Sequence, residues 1–137
     1  RKHDAYKIQV ECEELILAHM DVRLIIQVLV NLIDNAIKYT PQGSTICIRG
    51  LRIDGRAQIS VEDNGPGIAD EMKSHIFEMF YTGKNKISDS RRSFGLGLTL
   101  CKSIIDAHGG NLELSDNIPH GCSFKFNLPI SEVTLNE

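Results

Sequence analysis

The feature that most constrains this chain is the run from Gln27 to Tyr39, a strongly apolar stretch interrupted by polar residues at helical spacing. At about 100° per residue, Gln27, Asn31, Asn35 and Lys38 fall on one narrow stripe. Leu29, Leu32, Ile33, Ala36 and Ile37 form a broad apolar face opposite. Such a face has to be buried, so the run reads as a helix laid on a core. Two Asn one turn apart need a further reason, because the Asn amide competes with the backbone and weakens a helix. Their oxygens are neutral ligands, suited to a bound polyanion and its metal ion. The plainer alternative is that both amides hydrogen-bond to neighbouring loops.

The rest of the chain supplies that helix with a sheet. Asp21 reads as its N-cap, and Pro41-Gln42-Gly43 stops it after Tyr39. Tyr6 to Cys12 alternates like a half-buried strand, and Leu15 to Ala18 reads as a short second one. Two further alternating runs, Ser44 to Arg52 and Arg56 to Glu62, flank Asp54-Gly55, a strong hairpin signal. A glycine-rich turn, Asp63 to Ile68, leads to a short helical piece at about Asp70 to Ile76. Thr82 to Ser93 is polar and basic without apolar period, a loop of roughly a dozen residues expected to be mobile. Gly95-Leu96-Gly97 opens a second amphipathic helix that stops at His108-Gly109-Gly110. Strands at Asn111 to Ser115 and Cys122 to Leu128 close the pattern, and 131–137 reads as a frayed tail after a single domain over 1–130. About six strands with two or three helices imply a two-layer α/β sandwich: a mixed, mostly antiparallel sheet packed on one face by about three helices.

Composition narrows the function. With 137 residues there is room for one core. A net charge of −3 and no basic strip interleaved with aromatics argue against nucleic acid. Cys12, Cys47, Cys101 and Cys122 are scattered without a Cys-x-x-Cys pair, so they read as reduced core thiols of a cytosolic domain. No run reaches the length of a membrane span, and direct membrane contact is not expected. Because the sequence begins at Arg1, it reads as a piece of something longer, whose remainder could hold membrane segments.

Two more motifs carry chemistry. Asp63 before Gly65 and Gly67 sets a carboxylate at a strand end, where it can accept a hydrogen bond from an exocyclic amine while the glycines admit a flat ring. An ordinary Asp-Asn-Gly turn has the same sequence. Gly95-Leu96-Gly97 at a helix start, after a loop with Lys84, Lys86, Arg91 and Arg92, outlines an anion site at the positive end of a helix. Any one of these cations could equally be a solvated surface charge.

Order and combination decide. Asn31-x-x-x-Asn35-x-x-Lys38-Tyr39, Asp63-x-Gly65-x-Gly67, Ile76-Phe77-Glu78-x-Phe80-Tyr81 and Gly95-Leu96-Gly97-Leu98 closely resemble, in this order, the N, G1, F and G2 boxes of the ATP-binding catalytic domain of sensor histidine kinases. The resemblance covers about Ile8 to Pro129 and implies the Bergerat ATP-binding sandwich shared with gyrase, Hsp90 and MutL. It implies ATP and Mg²⁺ as cofactors, with Asn35 as main metal ligand, Asn31 assisting, and Lys38 near the phosphates. It places Tyr39 against the adenine or ribose, Asp63 on the adenine amino group, and Gly65, Gly67 and Ile68 around the base. It adds Phe80 of the F box to the nucleotide contacts, together with Lys84, Arg91 and Arg92 from an ATP lid over Thr82 to Phe94, hinged at Gly95 to Leu98. The Asp89 to Phe94 lead-in and the Leu100 to Ile105 helix are further similar to potassium-responsive KdpD-type sensor kinases of low-GC Gram-positive bacteria.

Asn31 separates two branches. Gyrase-type and Hsp90-type ATPases carry there a Glu that activates water, and an amide cannot accept that proton. The expected activity is therefore donation of the γ-phosphate to a histidine on a dimerisation domain, with a response regulator engaged indirectly, from the cytoplasmic side of a membrane-anchored sensor. A water-activating ATPase or chaperone module and an anti-sigma-type serine kinase are the alternatives. His3-Asp4 only faintly resembles the acceptor motif, lacking its proline, and His19, His75, His108 and His120 have no acceptor context. Autophosphorylation by this stretch alone is not expected. Two departures from the family pattern stand out: Thr82 follows Phe80-Tyr81 where Arg is usual, and Ser93 replaces the first glycine of the G2 box.

Overall fold

A computed structural model describes residues 6–12, 15–78 and 92–130, with backbone alone over 92–96. Five strands form one sheet: β1 (Lys7–Cys12), β2 (Thr45–Ile53), β3 (Arg56–Asp63), β4 (Leu112–Asp116) and β5 (Cys122–Pro129), in spatial order β1-β2-β3-β5-β4. β1 pairs parallel with β2, Ile8 opposite Ile46, and the other pairings are antiparallel. The helices are α1 (Val22–Tyr39), the four-residue α2 (Asp70–Lys73) and α3 (Arg92–Ala107).

Local chemistry sets the element boundaries. The Asp21 carboxylate accepts the N–H groups of Arg23 and Leu24 and caps α1. The β2–β3 turn holds both Asp54 (φ 53°) and Gly55 (φ 73°) in the left-handed region, as a two-residue hairpin loop requires. α3 ends on Gly109 at φ 78°, with Gly110 N–H returning to Ile105 O at 3.0 Å.

Alternation along the strands then aims one face at the helices. Ile46, Val61, Phe124, Phe126, Leu112 and Leu128 meet Val28, Leu32, Cys101, Ile104 and Ile105 in a single buried cluster. Leu32, Val28, Ile46, Ile105 and Leu128 are fully shielded, and each such side chain stabilises the fold by about 2 kcal/mol. α1 and α3 lie side by side as the second layer, whereas α2 buries no residue.

Several expectations need correcting. β1 is exposed along its whole length, with Val10 72% accessible, because it is the sheet's edge and α1 and α3 pack over the strands beyond it. Leu15 to Ala18 is not a strand; only Ala18 bridges to Ile130. Among the described residues the sheet thus has five strands, not six. α3 is helical from Arg92, three residues before Gly95, so the helix opens earlier than the glycines suggest. The piece expected to reach Ile76 is helical only over Asp70–Lys73. Cys12 is exposed; Cys47, Cys101 and Cys122 are buried, as core thiols should be. Among the described residues no helix is long and apolar enough to cross a membrane.

Candidate functional site

Asp63 is the last residue of β3 and pairs with Ile46, in the same row as Val61 and Ile59. Period-two alternation therefore points its carboxylate to the helix side of the sheet, where it is 6% exposed. One oxygen, Oδ1, accepts Gly65 N–H at 2.9 Å and Cys122 N–H at 3.2 Å. That pair of bonds fixes the plane of the carboxylate and leaves Oδ2 for another donor. Burial pushes the Asp63 carboxyl above its ordinary range, while the two amide donors and the charge of His120 act the other way.

The turn after Asp63 is tightly packed. A Cβ placed on Gly65 would meet Thr40 Cγ2 at 2.5 Å, so the turn lies directly against the end of α1. Thr40 is itself buried, its hydroxyl donating to Ala36 O at 2.7 Å. The Tyr6 hydroxyl lies 2.7 Å from Thr40 O and 2.9 Å from Ile37 O, and shares its proton between them. α1 thus ends without a glycine, its last carbonyls met by Thr40 and Tyr6.

On the opposite side the loop between β4 and β5 closes over the same turn. Asn117 Nδ2 donates to Asp63 O at 2.8 Å, and His120 Nδ1 donates to Gly65 O at 2.9 Å. Gly121, at φ 113°, passes so near that only a glycine fits there.

Asn35 is 6% exposed, and its Oδ1 is fully buried with no hydrogen-bond partner among the described residues. Leaving a buried acceptor unmet costs about 1–3 kcal/mol. Such a cost is expected where the oxygen serves a ligand, and a neutral oxygen donor fits a hard cation held beside a polyanion. Asn31, half-buried one turn earlier, lies against α3: a Cβ on Gly97 would sit 3.5 Å from its Oδ1. Its amide also reaches the Cys101 thiol, which burial nonetheless pushes up to about 11.

The structure thus sets Asn31 against Gly97, and Asp63 with Gly65 against Thr40 at the end of α1; Gly67 lies beside Gly121, and Ile68 and Leu98 pack in the core between the layers. Lys38 and Tyr39 are exposed on the last turn of α1, and Gln27 is exposed a turn before Asn31. The polar stripe thus passes from solvent at Gln27 to burial at Asn35. Arg92, Gly95 and Leu96 are placed by backbone only, in the first turns of α3. Phe80, Lys84, Lys86 and Arg91 lie outside the described residues, as do Thr82 and His3. Tyr6, Thr40, Asn117, His120 and Gly121 went unassigned in the sequence. Gly121 ahead of an alternating strand is the one local signal among them; the others act through tertiary contacts.

Residues 20–132 match the family described as histidine kinase-, DNA gyrase B- and HSP90-like ATPases. The sensor protein KdpD of Clostridium acetobutylicum is 46% identical over 125 residues, covering 90% of this chain and 14% of that protein. The chain thus spans a small part of that relative. The catalytic domain of histidine kinase ThkA in a nucleotide-free form is 32% identical, with a TM-score of 0.78 over 93% of this chain and 82% of that one. Full-length ShkA in complex with AMPPNP is 27% identical, with a TM-score of 0.81 over 98% of this chain and 28% of that one. Sequence and sheet topology agree: the chain belongs to the histidine kinase-, gyrase- and HSP90-like ATPase family and is the catalytic domain of a sensor histidine kinase.

Proposed function

We propose that this domain binds ATP with Mg²⁺ along the α1–α3 seam and donates the γ-phosphate to a histidine on a phosphoacceptor domain of its parent protein. The observation that carries the metal half of this reading is the buried Oδ1 of Asn35, which has no hydrogen-bond partner among the described residues. Asn35 would hold the ion with Asn31 assisting, and the bound ion would supply positive charge against the phosphate oxygens. Asp63 Oδ2 accepts the adenine amine, its aim fixed by the two bonds on Oδ1. Gly65, Gly67 and Ile68 line the base. Lys38 stands near the phosphates, Tyr39 against the base or sugar, and the first turns of α3, from Arg92 to Leu98, face the phosphates. The ShkA relative with bound AMPPNP supports nucleotide as the ligand class.

Donation rather than hydrolysis follows from Asn31. Its amide is no base, so nothing at that position draws a proton from water, and the γ-phosphate waits for a positioned acceptor. The reaction partner is the parent's dimerisation domain, with a response regulator downstream, in the cytoplasm. Steady-state ATP turnover by the isolated domain tests this: it should be negligible beside that of a dedicated ATPase. A comparable rate would place the protein with the water-activating branch.

A further inference from the structure

The carboxylate of Asp63 can select a base only if the turn that carries it is held still. On one side the turn is held by Thr40 against Gly65 and by Thr45 N–H donating to Asn64 Oδ1 at 2.8 Å. The backbone carbonyls of Asp63 and Gly65 are held by the β4–β5 loop. Asn117 Oδ1 accepts Ile118 N–H at 2.9 Å, which fixes the amide's orientation and aims Nδ2 at Asp63 O. Asn117 N–H closes the loop on Gly121 O at 2.9 Å. With the loop closed, His120 Nδ1 donates to Gly65 O, two residues along the turn from the carbonyl that Asn117 holds. Asp63 and Gly65 are thereby tethered at both backbone carbonyls, and the N–H of Cys122, the first residue of β5, holds the carboxylate.

We propose that His120 is a positioning residue for base recognition, holding Gly65 so that Asp63 keeps its free oxygen aimed at the bound adenine. His120 is exposed and outside the core, so its hydrogen bond to Gly65 has no large part in stability. The inference rests on the reading of Asp63 as the acceptor for the base, and the test separates the two.

The experiment is a double-mutant cycle on the whole domain, titrating adenosine diphosphate into the parent chain, His120→Ala, Asp63→Asn and the double variant, with thermal melting of each. His120→Ala should weaken binding about tenfold in the parent chain and have almost no further effect in the Asp63→Asn background. Its melting temperature should stay near that of the parent. His120→Asn, which keeps an N–H donor at the same reach from Cα, should recover most of the affinity. Loss of the same factor in both backgrounds would mean that His120 acts independently of Asp63 and would overturn the inference. So would unchanged affinity in His120→Ala where Asp63→Asn binds weakly. Unchanged affinity in Asp63→Asn itself would instead overturn the reading of Asp63, and this inference with it.

Discussion

Gly121 passes so close to Asp63 that a methyl group on its Cα would sit 1.9 Å from the Asp63 carbonyl oxygen. Its φ of 113° is a second obstacle to any side chain. Gly121→Ala should therefore destabilise the domain by about 3 kcal/mol, combining backbone strain with an overlap that only a shift of the Asp63 turn relieves. Urea denaturation checks this. Where the variant remains folded, its nucleotide affinity should also fall, because the turn that moves carries the carboxylate.

Asp63→Asn should stabilise the fold at neutral pH while weakening nucleotide binding. Burial raises the carboxyl above its ordinary value of 3.8, so the folded state disfavours the ionised form. That penalty is absent below 3.8, grows as pH rises toward the raised folded value, and is constant above it. The amide variant never ionises and can still accept from Gly65 and Cys122 N–H. Melting curves of the two proteins should converge in acid and separate as pH rises through that window. A variant less stable than the parent at neutral pH would contradict this.

Tyr6→Phe should cost about 1 kcal/mol, since the phenol holds carbonyls at the end of α1 and leaves them unmet when removed. Amide exchange should quicken near Thr40, with the core strands unaffected at the local level.

One thiol of four should react readily with an aqueous thiol reagent in the native protein. Cys12 is exposed, whereas Cys47, Cys101 and Cys122 are buried, and burial pushes the Cys101 and Cys122 thiols up to about 11 and about 12. All four should titrate after denaturation. Rapid reaction of Cys122 in the native state would mean that the loop over Asp63 opens.

Where the chain's signals are local, the sequence told the fold well. The Asp21 cap, the Asp54-Gly55 turn and the glycine stop of α3 each act within a few residues and are where the sequence places them. The two-layer sandwich followed from summing such signals. β1 misled because alternation reports which face a side chain takes, and an edge strand can alternate with nothing above it. The same limit applied to Cys12, which shares the edge with Ile8 and Val10. The parallel pairing of β1 with β2 is set by how α1 returns the chain, and no short stretch encodes it.

The site was half legible. Asn31, Asn35, Asp63 and the glycines could be picked out because each breaks a local rule: amides on an apolar helix, a carboxylate at a strand end, glycines in succession. Thr40 under Gly65, Tyr6 at the helix end, and Asn117 and His120 over the turn break no such rule. Each is an ordinary surface-type residue until the fold sets it against a backbone carbonyl or a glycine from a distant segment.

The most direct test is calorimetric titration of the domain with a non-hydrolysable ATP analogue, with and without Mg²⁺, for the parent chain and Asn35→Ala. Because Asn35 Oδ1 has no hydrogen bond to lose among the described residues, the variant should stay folded, while losing the oxygen through which we place the metal. Mg²⁺ should strengthen binding by the parent chain about tenfold or more and strengthen binding by Asn35→Ala hardly at all, a difference of about 1.4 kcal/mol or more. An equal Mg²⁺ effect in both proteins would contradict the assignment of the metal to Asn35.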